Sequence, residues 1–277
     1  MRAGQPSLTA LGAAGHRAAH QIAESGSIFC DPFARRILSR KECARADERA
    51  ADPASRPMRL FVSARSRFAE DALARAHRRG LRQAVILGAG LDTFALRNPF
   101  ADLAVFEADH PATQISKRRR LAEAGLSPPP LLTYVSIDFE RQSLGARLSE
   151  DGVRFDRPCF YMWLGVTPYL SREAVFAVLR FVADARGNEI AFDYSEPFEN
   201  YSPQARARAE AFAARVAMLG EPLVGRFKPF ELGAALKSMG YCEVEDLDGR
   251  SIAARYFPQD AVAALGGGGH FVRARVG

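Results

Sequence analysis

Three short apolar runs in the sequence each end in residues able to hold a ligand. Gly88-Ala89-Gly90-Leu91-Asp92 follows Gln83-Ala84-Val85-Ile86-Leu87; Asp109 follows Leu103-Ala104-Val105-Phe106-Glu107; Asp138-Phe139 follows the run from Leu131 to Ile137. In an open sheet of parallel strands the ligand sits outside the carboxyl ends of the strands, so residues just after successive strands face one crevice. Glycines at the first tip let backbone N–H groups approach a ligand that a side chain would hold off. A carboxylate at the second tip can accept from ribose hydroxyls. One at the third can accept from an adenine amino group, with Phe139 available to pack on the ring. Either aspartate alone reads more simply as an N-cap or a surface carboxylate; their recurrence at consecutive strand ends favours a site. The turn is not the full dinucleotide fingerprint, because Thr93 replaces the third glycine at the helix opening. A pyrophosphate needs that helix N-terminus as an anion site, whereas an adenosyl ligand without phosphate does not.

Arg65 adds a separate argument. Phe61 lies four residues before it and Phe68 three after, which puts the guanidinium on or beside the apolar stripe of a helix. A half-buried arginine needs an anion, either the carboxylate of a ligand in bidentate geometry or an internal Asp or Glu, and both remain open here. His16 and His20, one helical turn apart, have the spacing of a metal clamp. The intervening Arg17-Ala18-Ala19 brings neither the glutamate of a metalloprotease nor a third ligand, so an ordinary helix face and no metal are expected. No Gly-x-Ser-x-Gly elbow supports a hydrolase.

The elements that position these groups alternate. Ser7 caps a first helix to about Ile22, Asp31-Pro32 reads as the start of a short helix to Leu38, and residues 41–57 fit helix, loop or disorder equally. A helix from Arg59 to Ala76 precedes the first strand. Beyond the three runs above, and a helix from Asp109-His110-Pro111 to about Ala124, come a strand at Cys159–Trp163, a helix from Ser171 to Ala183 and a strand at Glu189–Phe192. Helices at Pro203–Met218 and Pro229–Met239 and strands near Cys242–Glu245 and Phe271–Arg273 complete the chain. Alternation of this kind implies an α/β fold on a mostly parallel sheet with helices on both faces. With 277 residues, 48% hydrophobic and 25% charged, one domain with a full core is expected.

The net charge of +6 raises nucleic acid or a membrane surface as partners. The arginines are scattered, however, and the one run, Lys117-Arg118-Arg119-Arg120, lies within an amphipathic helix and reads as a solvated face. No nucleic acid or membrane partner is expected. Met1–Pro6 leads into an amphipathic segment rather than a secretory signal, no stretch reaches membrane-spanning length, and the four cysteines form no Cys-x-x-Cys pair. A cytoplasmic location with free thiols is the expectation.

The sequence resembles the leucine carboxyl methyltransferase family and its bacterial S-adenosylmethionine-dependent O-methyltransferases. The resemblance rests on Ser7-Leu8-Thr9-Ala10 with His16-Arg17-Ala18, Asp31-Pro32-Phe33-Ala34, Arg65-Ser66-Arg67-Phe68 with Asp71, and Ile86-Leu87-Gly88-Ala89-Gly90-Leu91-Asp92-Thr93. It continues through Phe106-Glu107-Ala108-Asp109-His110-Pro111, Asp138-Phe139, Tyr169-Leu170 and Gly220-Glu221-Pro222. It implies a Rossmann-like class I methyltransferase with a mostly parallel seven-stranded sheet: residues 1–60 form a helical lid, and 61–277 form the core with a substrate-side insertion at about 195–230. By the same resemblance S-adenosyl-L-methionine is the cofactor. Arg65 would bind its carboxylate, Gly88, Ala89 and Gly90 would pass under its methionine and ribose, Asp109 would hold the ribose, and Asp138 and Phe139 the adenine. Leu164 stands before Gly165 where the leucine carboxyl enzymes carry glutamate, which removes one polar contact and argues against carrying over their phosphatase substrate.

Methyl transfer from a sulfonium is an in-line displacement with a good leaving group, so alignment and exclusion of water are the protein's main tasks. A carboxylate of a small-molecule or peptide acceptor needs no base; for a hydroxyl, Asp193, Tyr194, Tyr161 and His270 are candidates, and no catalytic residue is assigned. The rival readings are an NAD(P)-dependent oxidoreductase on a similar sheet and a cofactor-binding protein without turnover.

Overall fold

In the computed structural model residues 7–139, 141–259 and 268–277 are described, and the Met1–Pro6 segment lies outside them. The Ser7 hydroxyl accepts from the Ala10 N–H at 3.1 Å and so caps α1 (Leu8–Ala23). The expected helix after Asp31-Pro32 is instead a series of turns. Asp31 accepts from the Phe33 N–H, but its carboxylate is also held by the Thr93 hydroxyl at 2.7 Å and by Arg17. Ala34, Ile37 and Leu38 pack in the cluster that holds α1. Tertiary contacts have overridden the local helix signal. The ambiguous stretch after it forms α2 (Arg40–Ala51), started by a reciprocal capping box between Ser39 and Glu42. The helix carrying Arg65, α3 (Arg56–Arg78), is longer at both ends than its apolar pattern.

From there strand and helix alternate: β1 (Gln83–Leu87), α4 (Phe94–Arg97), β2 (Ala104–Asp109), α5 (Pro111–Glu123), β3 (Leu132–Ser136), α6 (Leu144–Glu150), β4 (Phe160–Trp163), α7 (Arg172–Ala183) and β5 (Glu189–Ser195). The chain then runs α8 (Pro203–Met218), α9 (Pro229–Ser238), β6 (Tyr241–Leu247), α10 (Gly249–Tyr256) and β7 (Gly269–Val276). The seven strands lie in the order β3-β2-β1-β4-β5-β7-β6, all parallel except β7, which runs antiparallel to both neighbours. From β1 the chain steps one way through β2 to β3 and then crosses to β4 on the other side. In open α/β sheets ligands bind where the order reverses in this way, here at the carboxyl ends of β1 and β4.

Both faces of the sheet are covered. On one, α3, α4 and α10 pack Phe68, Leu73, Phe94 and Ile252 onto Ile86, Phe160 and Phe271; on the other, α6, α7 and α9 cover Leu87, Tyr161, Trp163, Phe192 and Val272. A third cluster joins Ala14, Ala18 and Ala19 of α1 to Ala46, Leu91 and Leu121, setting α1 across the top of the sheet. The Lys117–Arg120 run departs from a solvated face. Lys117 is buried against Glu107 at 2.6 Å and Arg120 forks onto Glu42, because one side of α5 faces the sheet and α2. Among the described residues no helix is long and apolar enough to cross a membrane.

Candidate functional site

The turn after β1 needs its glycines. Gly88 and Gly90 have φ of +66° and +50°, a region L side chains rarely adopt. The N–H groups of Gly88 and Ala89 both donate to the Ala108 carbonyl, tying the turn to β2. Asp109, at the end of β2, accepts from the Gly90 N–H at 2.5 Å and from the His110 N–H at 2.6 Å. Burial pushes its pKa up, and the two N–H groups pull it back. A carboxylate has about four lone-pair sites, so two bonds leave acceptor capacity for hydroxyls. A Cβ on Gly90 would stand 2.9 Å from that of Ala10: α1 lies directly on the turn. Arg17 fixes it there by donating to the Leu91 carbonyl at 2.6 Å.

The Ile137 N–H donates to the carbonyl of Asp109, so Asp138, one residue on, stands at the tip next to Asp109. The Asp138 N–H is held by Gln142, and Phe139 packs on the core face shared by α6 and α7. The sequence-predicted residues of β1, β2 and β3 are therefore brought to adjacent tips.

Arg65 approaches from α3. Of the two anions left open for it, the internal one is present: Nη1 donates to Asp193 Oδ2 at 2.9 Å, while Oδ1 accepts from the Gly165 N–H at 2.6 Å. Gly165 has φ +71°, a conformation that favours glycine, and a Cβ there would lie 2.7 Å from Arg65 Nη1, so the guanidinium lies close over bare backbone. Leu164 packs against the apolar core under α3 and offers no polar group. Arg65 Nε is buried with no partner, leaving one donor free beside the crevice.

The structure adds two residues that sequence reasoning left without a role. Tyr169 bonds Thr9 and faces Arg65, Asp193 and Glu221, and burial raises its phenol pKa. Glu221 accepts from the N–H groups of Leu8 and Thr9, both at 3.0 Å, and so pins the start of α1. Their only signal in the sequence was membership of the motifs that carried the family resemblance. The candidate bases are engaged elsewhere. Asp193 is held as above, Tyr161 is buried in the core, and Tyr194 and His270 form a closed network on the opposite face. There the Tyr194 hydroxyl donates to Asp246 at 2.8 Å, and His270 lies between Asp246 and Glu196 at 2.7 and 2.9 Å. Burial works against the charged imidazole, but these two carboxylates raise the pKa of His270.

A family model for leucine carboxyl methyltransferase matches residues 10–183. The chain belongs to that family. A Bacillus subtilis (strain 168) protein named "Putative S-adenosyl-L-methionine-dependent methyltransferase YktD" is 30% identical over 284 residues, covering 93% of each chain. A protein of the same description from Mycolicibacterium paratuberculosis is 32% identical over 207 residues, 68% of this chain and 64% of its own. Among solved structures, a "putative methyltransferase" from Thermobifida fusca YX superposes with TM-score 0.59 at 17% identity, covering 99% of this chain and 96% of its own. A DUF574 family protein from Streptomyces avermitilis gives 0.56 at 16% identity over 94% of this chain and all of its own. These two establish the fold. As a member of the leucine carboxyl methyltransferase family, the protein is an S-adenosyl-L-methionine-dependent methyltransferase, and the nicotinamide reading is set aside.

Proposed function

We propose that the protein transfers a methyl group to an oxygen of a small-molecule or peptide acceptor, with the cofactor held across the tips of β1, β2 and β3. The residues present fit that cofactor. The observation that carries the fit is the buried, unpartnered Nε of Arg65 beside a glycine turn and a strand-tip carboxylate. In this reading Arg65 holds the methionine carboxylate, Gly88, Ala89 and Gly90 give the ligand close access to backbone, Asp109 accepts from the ribose, and Asp138 with Phe139 takes the adenine. When bound, S-adenosyl-L-methionine supplies an electrophilic methyl on a neutralisable sulfonium.

What the chain's own residues contribute is placement. Asp193 and Gly165 hold Arg65 in one orientation, α1 covers the glycine turn through Ala10, and Glu221 and Arg17 hold α1 down, which excludes water from the reacting atoms. Asp193, Tyr194 and His270 are each engaged in hydrogen bonds, which favours an acceptor that is already an anion, a carboxylate, over a hydroxyl that must lose a proton. Calorimetric titration with S-adenosylhomocysteine and with NAD, followed by methyl transfer from labelled cofactor to a panel of carboxylic acids and phenols, tests the proposal. Binding of the first ligand and esterification of carboxylic acids is the expected outcome. Methylation confined to nitrogen or carbon acceptors refutes the oxygen assignment.

A further inference from the structure

One face of α1 looks away from the glycine turn and carries Thr9, Gly12, Gly15 and His16. Gly12 has nothing within 4 Å of where a Cβ would stand, so there is open space on this face between Thr9 and His16. Cationic groups surround it. Arg49 of α2 presses its Nη1 onto the backbone at Gly15. Arg59 and Arg65 of α3 and Arg215 of α8 all act on His16, and Arg215 also acts on Arg49.

Among the described residues the exposed Glu48 of α2 is a carboxylate that acts on Arg49; the others nearby are already committed. Glu24 is taken by Arg59 and His20, Asp193 by Arg65 and Gly165, and Glu221 by the start of α1. Among the described residues no ion pair is made by Arg49 or Arg215, and the Nδ1 of His16 is buried without a partner. Burial and the four arginines together hold the imidazole neutral, with a pKa of about 4. Arg49 at Gly15 and Arg215, which lies over the Phe212 ring, make no ion pair yet act on each other and on an unsatisfied imidazole; like charges repel, and an oxyanion among them offsets the repulsion and gives the bare Nδ1, in its N–H tautomer, an acceptor.

We infer that the acceptor carries an oxyanion as a recognition handle, seated beside Gly12 and held by His16, Arg49 and Arg215. This rests on the methyl-transfer reading above and adds the substrate class. The handle is distinct from the oxygen that is methylated, because a carboxylate forked onto arginines is a stabilised and therefore weaker nucleophile.

The test follows the His16 ring resonance, assigned by its loss in His16→Gln, during titration of the full chain with inorganic phosphate and, separately, with acetate. Wild-type protein is expected to show saturable movement and an upward shift of the His16 titration. Arg215→Gln, exposed on α8 and so tolerated by the fold, should weaken the response at least about tenfold, the loss of one charge-assisted contact. Gly12→Leu should abolish it by filling the space. A stronger response to phosphate than to acetate marks a phosphate handle, and the reverse marks a carboxylate one. A His16 resonance indifferent to both anions, or Arg215→Gln responding as wild type does, overturns the inference. Calorimetry of wild type with S-adenosylhomocysteine, run in parallel, reports on methyl transfer separately: no binding there with an intact anion response overturns the parent reading and leaves the anion site standing.

Discussion

Replacing Glu221 by alanine removes the carboxylate that accepts from the N–H groups of Leu8 and Thr9 and leaves Ser7 as the remaining cap of α1. Each charge-assisted bond of this kind contributes roughly 1.5–3 kcal/mol. The two share one carboxylate, and Leu8 is 46% exposed, so water recovers part of the loss. A net cost of about 2–3 kcal/mol to the seating of α1 is therefore expected, which at about 1.4 kcal/mol per tenfold is roughly 30- to 150-fold in the local opening equilibrium. Native-state hydrogen exchange reads this directly. Protection of the α1 amides from Leu11 onward should fall by that factor while amides of β1 and β4 keep theirs, because the sheet core does not depend on the latch. S-adenosylhomocysteine should bind more weakly by a similar or smaller factor if α1 must lie on Gly90 to retain it. Unchanged exchange in α1 refutes the latch. Faster exchange with unchanged ligand affinity refutes the lid.

Asp109→Asn should abolish binding of S-adenosylhomocysteine and also lower stability by about 1–3 kcal/mol in denaturant melts, since one of its two backbone N–H partners would face an NH₂ group; a stable variant that still binds would displace the ribose assignment. Arg65→Ala should cost roughly 3 kcal/mol by stranding Asp193, and the double variant with Asp193→Asn should cost less than the sum of the two singles; strict additivity would mean the pair is not coupled. The lowered pKa of His16 gives a pH dependence of definite sign. Between its ordinary value near 6.5 and about 4 the unfolded chain binds a proton that the folded one excludes. Stability attributable to this group is thus full above that window and is lost as pH falls through it, by on the order of 3 kcal/mol. His16→Gln should flatten that part of the stability profile, and an unchanged slope would assign it elsewhere.

What the sequence revealed and what it hid divide along the reach of each interaction. The strands were legible because short apolar runs of three to five residues between turn signals have few other uses, and the tip residues because the chain itself delivers them there. The helices α4, α6 and α10 went unread: they are short, and each leaves few residues to form an apolar stripe. Asp31-Pro32 was misread because its local chemistry is that of a helix start, while its carboxylate is claimed by Thr93, 62 residues away. Arg65 was placed correctly on the edge of its helix, but its partner lies 128 positions along the chain. No pattern in a single sequence encodes that pairing. Glu221 is hidden for the same reason, as an ordinary surface carboxylate by composition and a helix latch only once the chain after α8 comes back onto the start of α1.

The pairing of Arg65 with Asp193 separates the two proposed anion sites by their expected response to salt. A guanidinium already neutralised by a carboxylate attracts a cofactor carboxylate through its free Nε–H and its fixed orientation rather than through net charge, and Arg65 is only 12% exposed. Buried contacts of this kind are screened little by salt. Arg49 and Arg215 make no ion pair among the described residues and are partly open to solvent, with Glu48 acting on Arg49 and the Phe212 ring under Arg215, so whatever they attract is drawn largely by net charge. Raising salt from about 0.1 M to about 1 M shortens the Debye length from about 10 to about 3 Å. Over that range the affinity for S-adenosylhomocysteine should change by less than about twofold, and with sodium chloride as the added salt the His16 response to phosphate should weaken by about tenfold or more. Equal salt dependence at both would mean that Arg65 meets its ligand as a free cation, and the internal pair would then have to open before the cofactor binds.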